Sequence, residues 1–136
     1  MVKKFTSQEI SKLSQFRDRL SDLHLDEEKS DDYYLIRWLR ARNLDLDKAE
    51  EMLRTSLKWR KENKADSILE DLKDEIPLRM KRMYPCASFG VDKEQNPVLF
   101  FPVGRSIYRI GIEEMGIEMM LKCNIYVMEL IMKALR

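Results

Sequence analysis

The residues able to do chemistry in this chain are few, and their spacing narrows what they could do. There is one histidine, His24, and there are two cysteines, Cys86 and Cys123. The cysteines match no metal-ligand spacing, and a lone histidine offers neither a metal cluster nor a relay partner. Small reduced thiols in a cytosolic interior account for the cysteines. His24 fits a helix C-terminus or a solvated position. No Gly-rich phosphate loop and no nucleophile beside a base occur. Glu113 and Glu114 read as first-turn acids of a helix. The expectation is therefore no enzyme, no cofactor and no metal. What remains is a set of cations, Arg37, Arg40 and Arg42, and a set of soft apolar side chains, Met115, Met119, Met120, Met128 and Met132. The arginines could meet a phosphate or form a structural seam with acids of the next helix. The methionines could line an adaptable pocket or simply pack. A third basic group, Arg79, Lys81 and Arg82 with Arg105 and Arg109, suits either anionic headgroups or plain solvation.

The elements that must position these residues are mostly helical. The chain has 136 residues, 44% hydrophobic and 36% charged, with a formal net charge of +1. That is enough for one small domain with a real core, and it gives no general reason to bind nucleic acid. No secretory apolar segment opens the chain, and no uninterrupted apolar run of about 18 residues could span a membrane. Thr6 and Glu9 have capping-box spacing, and Ile10, Leu13, Phe16, Leu20 and Leu23 recur at helical intervals, which predicts a helix over 7–23. Ser30, Asp31 and Asp32 offer caps for a second helix whose apolar stripe is Tyr34, Leu35, Trp38 and Leu39, with Asn43 as its stop. Asp45 or Asp47 caps a third, striped by Ala49, Met52, Leu53 and Leu57. A turn or two follows at 67–72, and Pro77 opens a short helix over 78–83.

Beyond it the pattern changes. Ala87–Val91 and Pro97–Val103 flank a polar Asp92-Lys93-Glu94-Gln95-Asn96 connection, which predicts a β-hairpin. Residues 104–116 read as irregular, with room for a short turn of helix. A last helix over 116–135, about 30 Å long, is apolar round most of its circumference. Such a helix must be covered on several sides, which predicts a partner: further chain, another subunit or a membrane surface.

With these elements in order, the chain resembles the CRAL-TRIO lipid-binding family. The residues that carry the likeness are Leu35-Ile36-Arg37-Trp38-Leu39-Arg40-Ala41-Arg42, then Asp45, Ala49, Met52-Leu53 and Lys58-Trp59-Arg60-Lys61. Tyr84-Pro85, Asp92-Lys93-Glu94 and Pro97-Val98 follow in the family's order. The match is tighter in the helical half than after Val103. It implies a fold that is mainly α with one β-hairpin. Residues 1–75 would be the N-terminal helical subdomain, and 76–136 the first hairpin and helix of an α/β lipid-binding domain. The family encloses one apolar ligand with central strands and a gating helix. The counterparts of those elements would lie beyond Arg136, so the resemblance implies a truncated chain that by itself closes no pocket.

The function implied is binding and transfer of a hydrophobic lipid (phospholipid, tocopherol or retinoid-like) between membranes, without catalysis. Its setting would be the cytoplasm, with transient contact at a membrane surface and no nucleic-acid partner. Arg42 stands where phosphatidylinositol-binding members place an arginine near the headgroup, although their following lysine is Asn43 here. Ser88 and Leu99 stand where phosphatidylcholine-exchanging members place two tyrosines, and with Met120 and Met128 they are the pocket-lining candidates. Gln95 occupies a turn position where the family usually has glycine. The alternative function is a helical interaction module that self-associates or docks through residues 116–135.

Overall fold

The computed structural model describes residues 5–75, 87–105 and 108–134. The expected helix over 78–83, the Arg79-Lys81-Arg82 group, Tyr84-Pro85 and Cys86 lie outside them. The elements in order are α1 (Ser7–Arg19), α2 (Asp32–Ala41), α3 (Leu46–Glu62), α4 (Ile68–Asp71), β1 (Ala87–Val91), β2 (Pro97–Phe100), a 3-10 turn (Val103–Arg105) and α5 (Tyr108–Ala134). The fold is mainly helical with one β-hairpin. The chain divides into two compact units, residues 2–59 and residues 60–136.

In the first unit local chemistry sets each helix end. Thr6 and Glu9 form the reciprocal capping box, with Glu9 N–H donating to Thr6 Oγ1 at 3.2 Å and Thr6 N–H to Glu9 Oε2 at 2.8 Å. Asp31 caps α2 by accepting from Tyr33 N–H at 2.8 Å. Helix α2 stops in a Schellman turn. Leu44 N–H reaches back to Leu39 O at 2.8 Å and Asn43 N–H to Arg40 O at 3.3 Å, with Asn43 left-handed at φ 51°. Asp45 then accepts from Lys48 N–H at 3.1 Å and caps α3. Leu13, Phe16, Leu20, Leu35, Ile36, Leu39, Ala49 and Leu53 form one fully enclosed core. Ile10, expected on the buried stripe of α1, is instead 57% exposed. Helix α1 also ends at Arg19, four residues before the expected Leu23.

The second unit is held differently. Ala65, Ile68 and Leu72 pack on Cys123 and Ile125, with Leu69, Met115, Met119, Tyr126 and Val127 around them. The hairpin is antiparallel with Ala87 opposite Phe100 and Ser88 opposite Leu99, and its register slips between Ser88 and Val91. Gly90 sits in that slip at φ 83°, a left-handed conformation that glycine adopts at no steric cost. Residues 108–115, expected to be irregular with room for a short helical turn, are helical throughout. Gly116 (φ 79°, ψ 160°) breaks α5 between that segment and 117–134. Glu113 and Glu114 therefore lie at the end of a helical segment, not in a first turn. The glycines suggested irregularity; the backbone tolerates Gly111 within the helix and breaks only at Gly116.

Candidate functional site

The arginine seam exists, but its partners are not those expected. Arg40 Nε donates to Glu9 Oε1 on α1 at 2.7 Å, and Arg37 lies over the Tyr34 ring at 5.0 Å from its centroid. The acids of α3 are taken by other cations. Arg54 forks onto Asp22 at 2.7 and 2.8 Å, bonds Glu50 at 2.9 Å and donates to the Arg19 carbonyl at 3.1 Å. Arg19 in turn bonds Asp47 and Glu50. The cause is topological. Arg17 pairs with Asp32 while Glu9 pairs with Arg40, so α1 runs antiparallel to α2 and intercepts its cations. Arg40 beside Glu9, helped by the Thr6 backbone, holds the Glu9 carboxyl down at about 2. The Arg54 fork likewise lowers Asp22.

Arg42 is left apart from this network. It is the C-cap residue of α2, exposed, and its Nη1 makes only a long 3.5 Å contact with the Ala41 carbonyl. Among the described residues it has no ion pair. An exposed guanidinium beside a helix-ending turn is sterically available to a phosphate. Next to it in the motif, the Trp38 indole Nε1 is buried without a hydrogen-bond partner among the described residues.

The pocket-lining candidates all lie in the second unit. Ser88 and Leu99 are directly paired across the hairpin. Leu99 is half-buried, whereas Val98 and Phe100, on the opposite strand face, are exposed. Met120 and Met128 are not equivalent: Met120 is 4% exposed and Met128 is 50% exposed. Eight residues at 100° each put them about 80° apart round the helix, enough to separate a covered from an open face. The unit leaves much apolar surface uncovered. Val91, Phe101 and Val103 are exposed around the hairpin, as are Ile110, Ile112, Ile117, Leu121 and Leu130 on α5.

One cavity here went unforeseen. It holds about 310 Å³ and is lined by Glu62, Asn63, Lys64, Glu118, Leu121, Lys122 and Ile125. Its wall begins where α3 ends in a second Schellman turn, with Ala65 N–H to Arg60 O at 2.9 Å and Lys64 left-handed at φ 50°. Asn63-Lys64 after a long helix was the available signal. Beside it, Arg60 donates two bonds to Glu129, both 2.9 Å, and two to Asp66 at 2.6 and 2.9 Å. This fork fastens the segment after α3 to α5. Among the described residues no cluster of His, Cys, Asp and Glu could hold a metal, and no helix is long and apolar enough to cross a membrane.

Comparison with known proteins places this geometry. The family described as "CRAL/TRIO, N-terminal domain" matches residues 12–55, which run from α1 into α3. A phosphatidylinositol/phosphatidylcholine transfer protein of Arabidopsis thaliana is 38% identical over 91 residues, covering 66% of this chain and 16% of that protein. The protein named real-time of Aedes aegypti is 30% identical over 119 residues, 88% of this chain and 18% of its own length. A CRAL-TRIO domain-containing protein of Saccharomyces cerevisiae is 31% identical over 127 residues, 86% of this chain and 41% of its own. The chain thus spans less than half the length of each of these relatives. Residues 12–55 are a CRAL/TRIO N-terminal domain, and in this N-terminal part the chain belongs to the CRAL-TRIO family.

Proposed function

We propose that this chain serves the binding and transfer of a hydrophobic lipid between membranes, without catalysing a reaction. In this reading residues 1–75 are the helical brace. Residues 76–136 supply the first hairpin and long helix of the lipid-binding part. The observation that carries it is the uncovered apolar surface of the second unit, on Val98, Phe100 and Phe101 and along α5. Similarity to relatives named as phosphatidylinositol/phosphatidylcholine transfer proteins supports it. Burial of acyl chain contributes about 0.8 kcal/mol per CH₂, so a partial contact of several methylenes is already substantial. Arg42 is the headgroup candidate, and Ser88, Leu99, Met120 and Met128 line the apolar contact. The lipid is of the phospholipid, tocopherol or retinoid-like class. The proposed setting is the cytoplasm, with transient membrane contact.

Photo-crosslinking tests the reading. The purified chain is mixed with phosphatidylcholine vesicles carrying a diazirine-acyl phospholipid, irradiated and mapped by mass spectrometry. Labels are expected on β2 and α5. Arg42→Ala should lower labelling by an acyl-diazirine phosphatidylinositol more than by its phosphatidylcholine counterpart. Labelling confined to residues 5–59, or none, would overturn the proposal.

A second reading has its own observation. Ile117, at 71% exposed, is the most open large apolar side chain among the described residues. It favours an interaction module that associates through residues 116–135.

A further inference from the structure

The turns that join α1 to α2 border a cavity that neither functional reading uses. It holds about 300 Å³, and its polar lining is Arg17, His24 and Ser30. Leu20 and Leu35, which also line it, belong to the buried core. No Asp or Glu is among its lining residues. Two hydrogen-bonded turns set the polar groups in place. Leu25 N–H donates to Leu23 O at 2.8 Å, which puts His24 at the tip of a three-residue turn. Ser30 N–H donates to Asp26 O at 2.9 Å and Lys29 N–H to Asp26 Oδ1 at 2.8 Å, which closes the segment that carries Ser30.

This lining has donors to spare. Arg17 Nε and Nη2 both converge on one oxygen, Asp32 Oδ1, at 3.2 and 2.5 Å, so Nη1 is left without a bond among the described residues. The exposed His24 ring makes no hydrogen bond among the described residues. A phosphate monoester suits such a lining, because it brings three acceptor oxygens and nearly two negative charges to a guanidinium's free prong. The volume is several times the roughly 30 Å³ that a water takes, so a phosphoryl group fits with some of its hydration.

The sequence supplies a place to attach one. Ser30 stands among Asp26, Glu27, Glu28, Asp31 and Asp32, with Lys29 the one base between them. That charge pattern complements the basic substrate groove of an acid-directed serine kinase. Asp26, Glu27, Glu28 and Asp31 are exposed, and residues 27–30 lie in turns, so a kinase can take the segment without unfolding a helix. The Ser30 hydroxyl itself spends its proton only on the Glu27 carbonyl, at 3.0 Å.

We propose that Ser30 is phosphorylated by an acid-directed serine kinase, and that the cavity lined by Arg17 and His24 receives the phosphate. Ser30 Oγ forms a bond to the γ-phosphorus of ATP as the bond from that phosphorus to the β,γ-bridging oxygen breaks. The hydroxyl proton passes to the kinase's base, and ADP leaves. The phosphate then engages the free prong of Arg17 and ties the turns at 24–30 to α1.

Mass spectrometry and thermal melting of the full chain test the two halves. The chain is incubated with ATP and casein kinase II, an acid-directed kinase, and its phosphates are mapped. Phosphate is expected on Ser30, and its absence there overturns the modification. Phosphorylated protein, or protein with phosphoserine genetically encoded at position 30, is then melted beside the unmodified chain under circular dichroism. Its melting temperature should be about 4 °C higher. The Arg17 side chain is 43% exposed, so Arg17→Gln should stay folded, accept the phosphate and lose the rise. Arg17→Lys should keep only part of it. An unchanged or lowered melting temperature, or a rise that survives Arg17→Gln, overturns capture by the cavity.

Discussion

The two units spend their apolar residues in opposite ways. In residues 5–59, eight core side chains from α1, α2 and α3 enclose one another. In the second unit, α5 covers one face with α4 and leaves the other open, and the hairpin adds further exposed apolar residues. Helix propensity does not explain the contrast, since both units are helical. What differs is how many elements converge. Three helices can close a core on themselves, whereas a four-residue α4, a hairpin and one long helix cannot. The first unit is therefore a scaffold whose residues answer to folding. The second is a surface whose residues answer to whatever it meets.

The largest effects should fall where that contrast is sharpest. Leu39→Ala, at a fully enclosed site, should cost about 2–5 kcal/mol in urea unfolding, whereas Leu121→Ala should cost less than about 1 kcal/mol. Equal costs would dissolve the distinction. Next comes the fork that holds α5. Arg60→Ala removes the cation that Glu129 and Asp66 share and should cost about 2 kcal/mol, with faster amide exchange along α5. Arg60→Lys should recover only part of this, because an ammonium cannot make the two-pronged bond.

Smaller again is the hairpin turn. Gln95 stands left-handed at φ 68°, so Gln95→Gly should stabilise the turn by about 1 kcal/mol, read as slower exchange of the β1–β2 amides. Loss of protection on that change would mean the glutamine side chain matters more than its backbone. The smallest effect is the pH response of Glu9. Its folded value of about 2 lies below the ordinary 4.5, so its contribution is full above about 4.5 and is lost as pH falls toward 2. Glu9→Gln should flatten the stability profile across that window and lower stability by a constant amount above about pH 4.5, pH 7 included.

Much of this was legible in residue order. The capping box at Thr6 and Glu9, the cap at Asp31, the stop at Asn43 and the hairpin around Asp92–Asn96 are local, and each is as the sequence suggests. The extent of the helix over 108–115 was hidden because Gly111 lies within it and Gly116 at its end, and only Gly116 breaks the backbone. The arginine partners were hidden because they depend on α1 lying against α2, a tertiary fact that no spacing within α2 reports. Arg42 was marked by its motif position, and its exposure agrees with a surface role. The split between Met120 and Met128 could not be read from two identical residue types on a helix apolar nearly all round. Only the folded structure separates them, with Met120 buried and Met128 exposed.

The same fork at Arg60 has a consequence in time. Asp92 accepts from the backbone of both Glu94 and Asn96 at 2.8 Å, so the hairpin turn closes within five residues. Hairpins of this kind form in about 1–10 μs. The Arg60–Glu129 bond, by contrast, joins residues 69 positions apart. Its loop-closure entropy is the greater, and its reward comes only after α5 has formed. Folding of the second unit should therefore end, and unfolding begin, at that single guanidinium, which makes the attachment of α5 the step that sets how long its outer face stays correctly presented.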